Sequence, residues 1–151
     1  MNQAENRGFT LIELIVVIFI ISIMLMVSFP NIGFRESGKL KSEAASLASV
    51  LRYLNDSAVT MKETYVVKFD LGQKTLSYKG PEGEKTERIN NLSNIILQTK
   101  GVVSDGEVNI FYTPMGVSES FVINLKSDDY NIAVSSNSLS GRIRIVKQDK
   151  A

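Results

Sequence analysis

The stretch from Phe9 to Phe29 is 21 residues long and carries one charge, Glu13. As an α-helix it would rise about 30 Å, the thickness of a bilayer's hydrocarbon core. Few other folds accept so long an uninterrupted apolar run, and none tolerates an isolated carboxylate within it cheaply. An unpaired acid one turn into such a segment costs at least a few kcal/mol even on lenient insertion scales. Glu13 therefore needs a partner.

The chain itself can supply one. A cut after Gly8 would give Phe9 a free amine, and positions 9 and 13 share one helix face, so amine and carboxylate can meet within or between subunits. An ordinary signal anchor, with Glu13 merely favoured by the positive helix N-terminus, is the alternative. Against it, the run is long and lacks a small-residue cleavage site at its far end.

The block Gly8-Phe9-Thr10-Leu11-Ile12-Glu13 resembles the prepilin processing site of type IV pilins and type II secretion pseudopilins. That resemblance implies that a prepilin peptidase cuts between Gly8 and Phe9, that the Phe9 amine is N-methylated, and that Glu13 pairs with the Phe9 amine of a neighbouring subunit. Residues 1–8 are then a leader and 9–29 the transmembrane and filament-core helix. The resemblance also places the helix in the inner membrane as a single pass, with the C-terminal domain periplasmic. Pro30 falls where such proteins often carry a helix-kinking proline.

Charge counting alone points the other way. Arg35, Lys39 and Lys41 follow the apolar run against Arg7 before it, so the positive-inside rule mildly favours a cytoplasmic C-terminal domain. The resemblance is preferred here, because large domains translocate with little regard to charge. The 17 basic and 16 acidic residues leave a net charge of +1, so any affinity for nucleic acid has to be local. There are no cysteines or histidines, which removes thiol and Ser-His nucleophiles and His- or Cys-based zinc sites. No convergent carboxylates stand in for them, so an enzyme is not expected, nor any cofactor, metal or small-molecule substrate. The missing disulfide departs from many major pilins, and the roughly 110 residues after the anchor must form their own core.

Beyond Pro30-Asn31-Ile32-Gly33, where a bend is expected, periodicity resumes. Leu40, Ala44, Leu47, Leu51, Leu54, Ala58 and Met61 form one apolar stripe, an amphipathic helix over 30–62. The stripe fits a coiled-coil dimer, or packing onto the chain's own sheet, which is the commoner arrangement. After Lys62 the period changes to two. Tyr65, Val67 and Phe69 with Leu76 and Tyr78 read as a hairpin, 80–85 as a polar turn cluster, and 95–97 and 102–103 as short strands. Val108, Ile110 and Tyr112 are expected to return through the 113–116 turn as Phe121, Ile123 and Leu125. Tyr130, Ile132 and Val134 are expected to pair with Ile143 and Ile145. Residues 63–151 thus read as an antiparallel β domain, and the whole as α+β, a type IV pilin-like helix packed on a sheet or sandwich.

This half resembles the GspH/FimT group of minor pseudopilins, through Ile110-Phe111, Pro114, Gly116, the 121–125 strand and the closing Leu139 to Ile145. Two functions follow as expectations. One is a minor pseudopilin of a type II secretion pseudopilus, partnered by prepilin peptidase and other pseudopilins. The other is a FimT-like minor pilin of a type IV pilus that aids DNA uptake. FimT-type pilins are understood to bind DNA through a C-terminal Gly-Arg-x-Arg element, which Gly141-Arg142-Ile143-Arg144 matches. In a strand Arg142 and Arg144 share a face, close to Lys147 and Lys150, enough for weak, salt-sensitive phosphate contact. A solvated strand face would look the same. Asp128-Asp129 has calcium-ligand chemistry, but a turn between strands accounts for it.

Overall fold

The apolar residues change spacing twice along the chain, and the elements follow them. The computed structural model describes residues 10–28, 32–128 and 130–148. Helix α1 is Leu11–Ser28 and helix α2 is Ile32–Met61. Phe9, Phe29 and Pro30 lie outside the described residues, so the expected bend at Pro30 does too, while α2 is helical through Gly33 and Gly38. The 18 residues of α1 rise only about 27 Å. Among the described residues no helix is long and apolar enough to cross a membrane. The expected 9–29 span therefore reaches past the described helix at both ends.

Two compact units divide at residues 34 and 35. The second holds nearly all of α2 and ten strands: β1 Tyr65–Asp70, β2 Thr75–Gly80, β3 Gly83–Arg88, β4 Leu92–Leu97, β5 Gly101–Val103, β6 Glu107–Thr113, β7 Gly116–Val117, β8 Phe121–Ser127, β9 Tyr130–Ser136 and β10 Ile143–Gln148. They make two five-stranded sheets, ordered β3-β2-β1-β6-β7 and β10-β9-β8-β4-β5, antiparallel throughout.

The stripe of α2 packs onto these sheets. Leu40, Ala44, Leu47, Leu51, Leu54 and Ala58 are buried in one core with Val67, Phe69 and Ile110 of the first sheet and Ile95, Ile123 and Val134 of the second. Met61 is the exception. It is more than half exposed, because the helix stops there as Lys62 turns left-handed, and Tyr65 Oη donates to its sulfur at 3.4 Å.

Three expectations need correction. The strand β3 begins inside what reads as a turn cluster, at 83–85, and runs on to Arg88. Only Pro81 and Glu82 turn, with Gly80 opposite Gly83, and Glu-Lys-Thr-Glu-Arg forms a sheet edge with no apolar side to advertise it. Secondly, Val108 to Tyr112 does not return as Phe121 to Leu125. β6 pairs with the two-residue β7, after which the chain crosses to the other sheet, where β8 lies between β9 and β4. Thirdly, Tyr130 and Ile145 are about 40% exposed, each at an end or edge of its sheet, although Ile132, Val134 and Ile143 are buried as expected.

Tyr112 is completely buried, and its hydroxyl has no hydrogen-bond partner among the described residues. Burial pushes its pKa well above the ordinary tyrosine value. The folded state thus holds this proton at pH values where the unfolded chain releases it, so stability falls as pH rises through about 10. Tyr112→Phe removes the orphaned hydroxyl. It should leave stability at pH 7 equal or higher by about 1 kcal/mol and shrink the loss between pH 9 and 11, as measured by urea unfolding at each pH.

Candidate functional site

Two places carry the residues singled out by sequence, and they lie in different units. At the start of α1, Thr10 caps the helix. Its carbonyl accepts from the amides of Glu13 at 3.0 Å and Leu14 at 3.2 Å, and its Oγ1 accepts from the Glu13 amide at 3.3 Å. Thr-x-x-Glu is the capping-box spacing, which places the Glu13 carboxylate at the positive end of the helix. Every described side chain from Leu11 to Met24 is exposed, on all sides of the helix. Glu13 has no ion-pair partner among the described residues, and Gly8 and Phe9 lie outside them.

The second place is the start of β10. Gly141 adopts a left-handed φ of +61°, and a Cβ there would sit 3.3 Å from Asn55 Oδ1, so glycine meets both a conformational and a spatial demand. The turn it closes is tied by Gly141 N–H to the Asn137 carbonyl at 2.8 Å. Arg142 and Arg144 are both exposed and line the same groove, of about 470 Å³, with Ser135, Asn137 and Ser140. Arg144 stands across from Ser135, which continues through Val122 and Ile96 to Val102 as one row on the outer face of the sheet.

Lys147 does not join them. It pairs with the buried Ile132, on the side of β10 that carries Ile143 and Ile145, because side chains in a strand alternate faces. Lys150 lies outside the described residues. In their stead the fold brings in a residue that sequence reasoning missed. Arg52 of α2 donates from Nη2 to the Ile143 carbonyl at 3.2 Å, and with Asn55 and Asp56 it lines a groove of about 410 Å³ against Arg142 and Arg144. Nothing in the sequence joins positions 91 apart. Asp128 sits in the β8–β9 turn, and among the described residues no group of three or more acids could hold a metal ion.

Gly141→Ala should cost on the order of 1–3 kcal/mol of domain stability, from the left-handed backbone and the Asn55 contact together. Gly106→Ala, with a similar φ and open space, provides the comparison for the backbone part alone. Chemical denaturation of both variants measures the difference.

Comparison with known proteins joins the two places. Residues 4–29 match the prokaryotic N-terminal methylation motif. Over 66 residues the chain is 39% identical to type II secretion system protein H of Pseudomonas aeruginosa, an alignment that takes in 43% of this chain and 38% of that protein. The chain thus spans well under half of that relative's length. Its fold is similar to that of the type IV minor pilin FimU of Pseudomonas aeruginosa, with a TM-score of 0.51, 18% identity and coverage of 75% of this chain and 92% of FimU. It is equally similar to the minor pseudopilin EpsH of the Vibrio cholerae type 2 secretion system, with a TM-score of 0.52, 16% identity and coverage of 71% and 95%. A prokaryotic N-terminal methylation motif therefore precedes a domain with the type IV pilin-like fold of minor pilins and pseudopilins.

Proposed function

We propose that the chain is a minor pseudopilin, a structural subunit rather than an enzyme, that assembles through its N-terminal helix into the pseudopilus of a type II secretion system. Prepilin peptidase removes residues 1–8 between Gly8 and Phe9, and the Phe9 amine is N-methylated. The processed chain waits in the inner membrane with its C-terminal domain on the periplasmic side. Other pseudopilins then pack against its helix, and Glu13 pairs with a neighbour's Phe9 amine.

The observation that carries this reading is α1 itself. Its described side chains are exposed all round and apolar except for Glu13 and Ser22, whose hydroxyl donates to the Ile18 carbonyl, so in water it has no stable state of its own. Lipid or neighbouring helices supply the apolar cover, and in either medium a lone carboxylate demands a cation. Thr10 already satisfies the backbone amide of Glu13, which leaves its carboxylate for an intersubunit role.

Glu13→Ala should insert in the membrane at wild-type level, be cleaved after Gly8, and fail to enter filaments. Membrane fractionation, N-terminal mass spectrometry and sheared-filament assays measure the three steps. Normal incorporation of the variant contradicts the pairing.

A second reading has its own observation. Arg142 and Arg144 share one exposed groove, and a fold similar to FimU is as close as one similar to EpsH. A minor pilin of a type IV pilus binding DNA through these two arginines fits that placement. Gel shifts should then show binding that weakens steeply between 50 and 200 mM salt and is lost in the Arg142→Ala/Arg144→Ala double variant. Absence of any shift leaves the secretion role alone.

A further inference from the structure

The strand β10 ends its sheet, and its free edge is defined atom by atom. Gln98 N–H donates to the Ser120 carbonyl, so 98 and 120 form a hydrogen-bonded pair. Antiparallel pairing alternates, so the next pair, Leu97 and Phe121, is not bonded, and the backbone groups of Phe121 face Ser136 instead. Ser136 then turns away from Ile143, and Ile143, Ile145 and Lys147 aim their N–H and C=O groups outward. Arg52 meets the first of these carbonyls, at Ile143, which agrees with that assignment. Among the described residues no hydrogen-bond partner serves the outward groups of Ile145 and Lys147.

Sheet edges are commonly protected by prolines, bulges or inward charges, and of these β10 carries only one inward charge, Lys147 opposite Ile132. β10 has no proline, pairs with β9 in unbroken register, and leaves Ile145 and Val146 both more than 40% exposed, on opposite faces. Its charges have one sign. Arg142, Arg144 and Lys147 are basic, and 141–148 contains no acid. The edge opens onto the groove shared with α2, where Arg52 adds a third guanidinium against the single acid Asp56. In that groove Asn55 Oδ1 is a buried acceptor with no donor among the described residues.

We propose that β10 accepts an extended segment of another protein by strand addition, a segment that alternates apolar and acidic residues. The main-chain groups of Ile145 and Lys147 continue the ladder, Ile145 packs against the apolar face of the added strand, and acids two residues apart on its other face meet Arg142 and Arg144. Charge complementarity selects this occupant, since a basic strand or one without acids would leave the arginines unanswered. The reading is independent of whether the chain serves secretion or a pilus.

The test uses the full chain in detergent micelles and a blocked peptide alternating valine and aspartate. Hydrogen exchange should slow by about tenfold at the Ile145 and Lys147 amides on peptide addition, the protection of a newly made ladder bond. Ile145→Pro removes one outward donor, a substitution an edge strand tolerates, and should weaken binding up to about tenfold. The double variant Arg142→Ala/Arg144→Ala should weaken it by about threefold to tenfold. A peptide with methylated backbone nitrogens should not bind, and this control needs no change to the protein. Equal binding of the methylated peptide overturns the proposal. Oligonucleotide binding that depends on the arginines but ignores Ile145→Pro, with no peptide protection, also overturns it and leaves a polyanion site only.

Discussion

Burial of one helical stripe is the constraint on which the domain rests. Leu40, Ala44, Leu47, Ala48, Leu51, Leu54 and Ala58 are all within 3% of complete burial, and both sheets place their inward residues in the same core. A fully buried leucine contributes roughly 1.5–3 kcal/mol by transfer out of water, so the leucines alone provide stabilisation comparable to the net stability of a small domain. The alanines serve by being small, since they let the backbone of α2 approach the strands closely. Without cysteines, no disulfide adds to this core.

The first helix obeys the opposite rule. α2 has one apolar side and finds its cover within the chain, whereas the described part of α1 is apolar on all sides except at Glu13 and Ser22, and exposed. Such a segment is written for a medium other than water. Its one acid lies in the first turn, where the helix dipole moderates the charge and Thr10 holds the backbone in place. One helix is thus covered by its own domain, and the described side chains of the other are not.

The division between helix and sheet was legible in the residues because periodicity encodes it. Six of the seven stripe positions are buried, and the first hairpin pairs Phe69 with Leu76 and Val67 with Tyr78. What escaped has physical reasons. The edge strand β3 is solvated on both faces, so its polar residues carry no alternation. The crossing from β7 to β8 depends on which sheet has room beside β4, a fact that local spacing does not hold. The Gly141 turn and the shared side of Arg142 and Arg144 could be read from three residues. That Lys147 faces away follows from the same period of two, applied one step further. Arg52 was out of reach, because only the folded chain brings α2 to the edge of β10.

That hydrogen bond from Arg52 to Ile143 also fixes an order of events. It closes a loop of 91 residues, and its acceptor belongs to β10, the last strand among the described residues. Long closures are slow to form, and this one has no acceptor until β10 has been made. Until then the flank of α2 beside Asn55 lies open, and β9 is itself the margin of its sheet. A nascent chain that stops short of β10 therefore exposes β9 as its border, and β10 converts it.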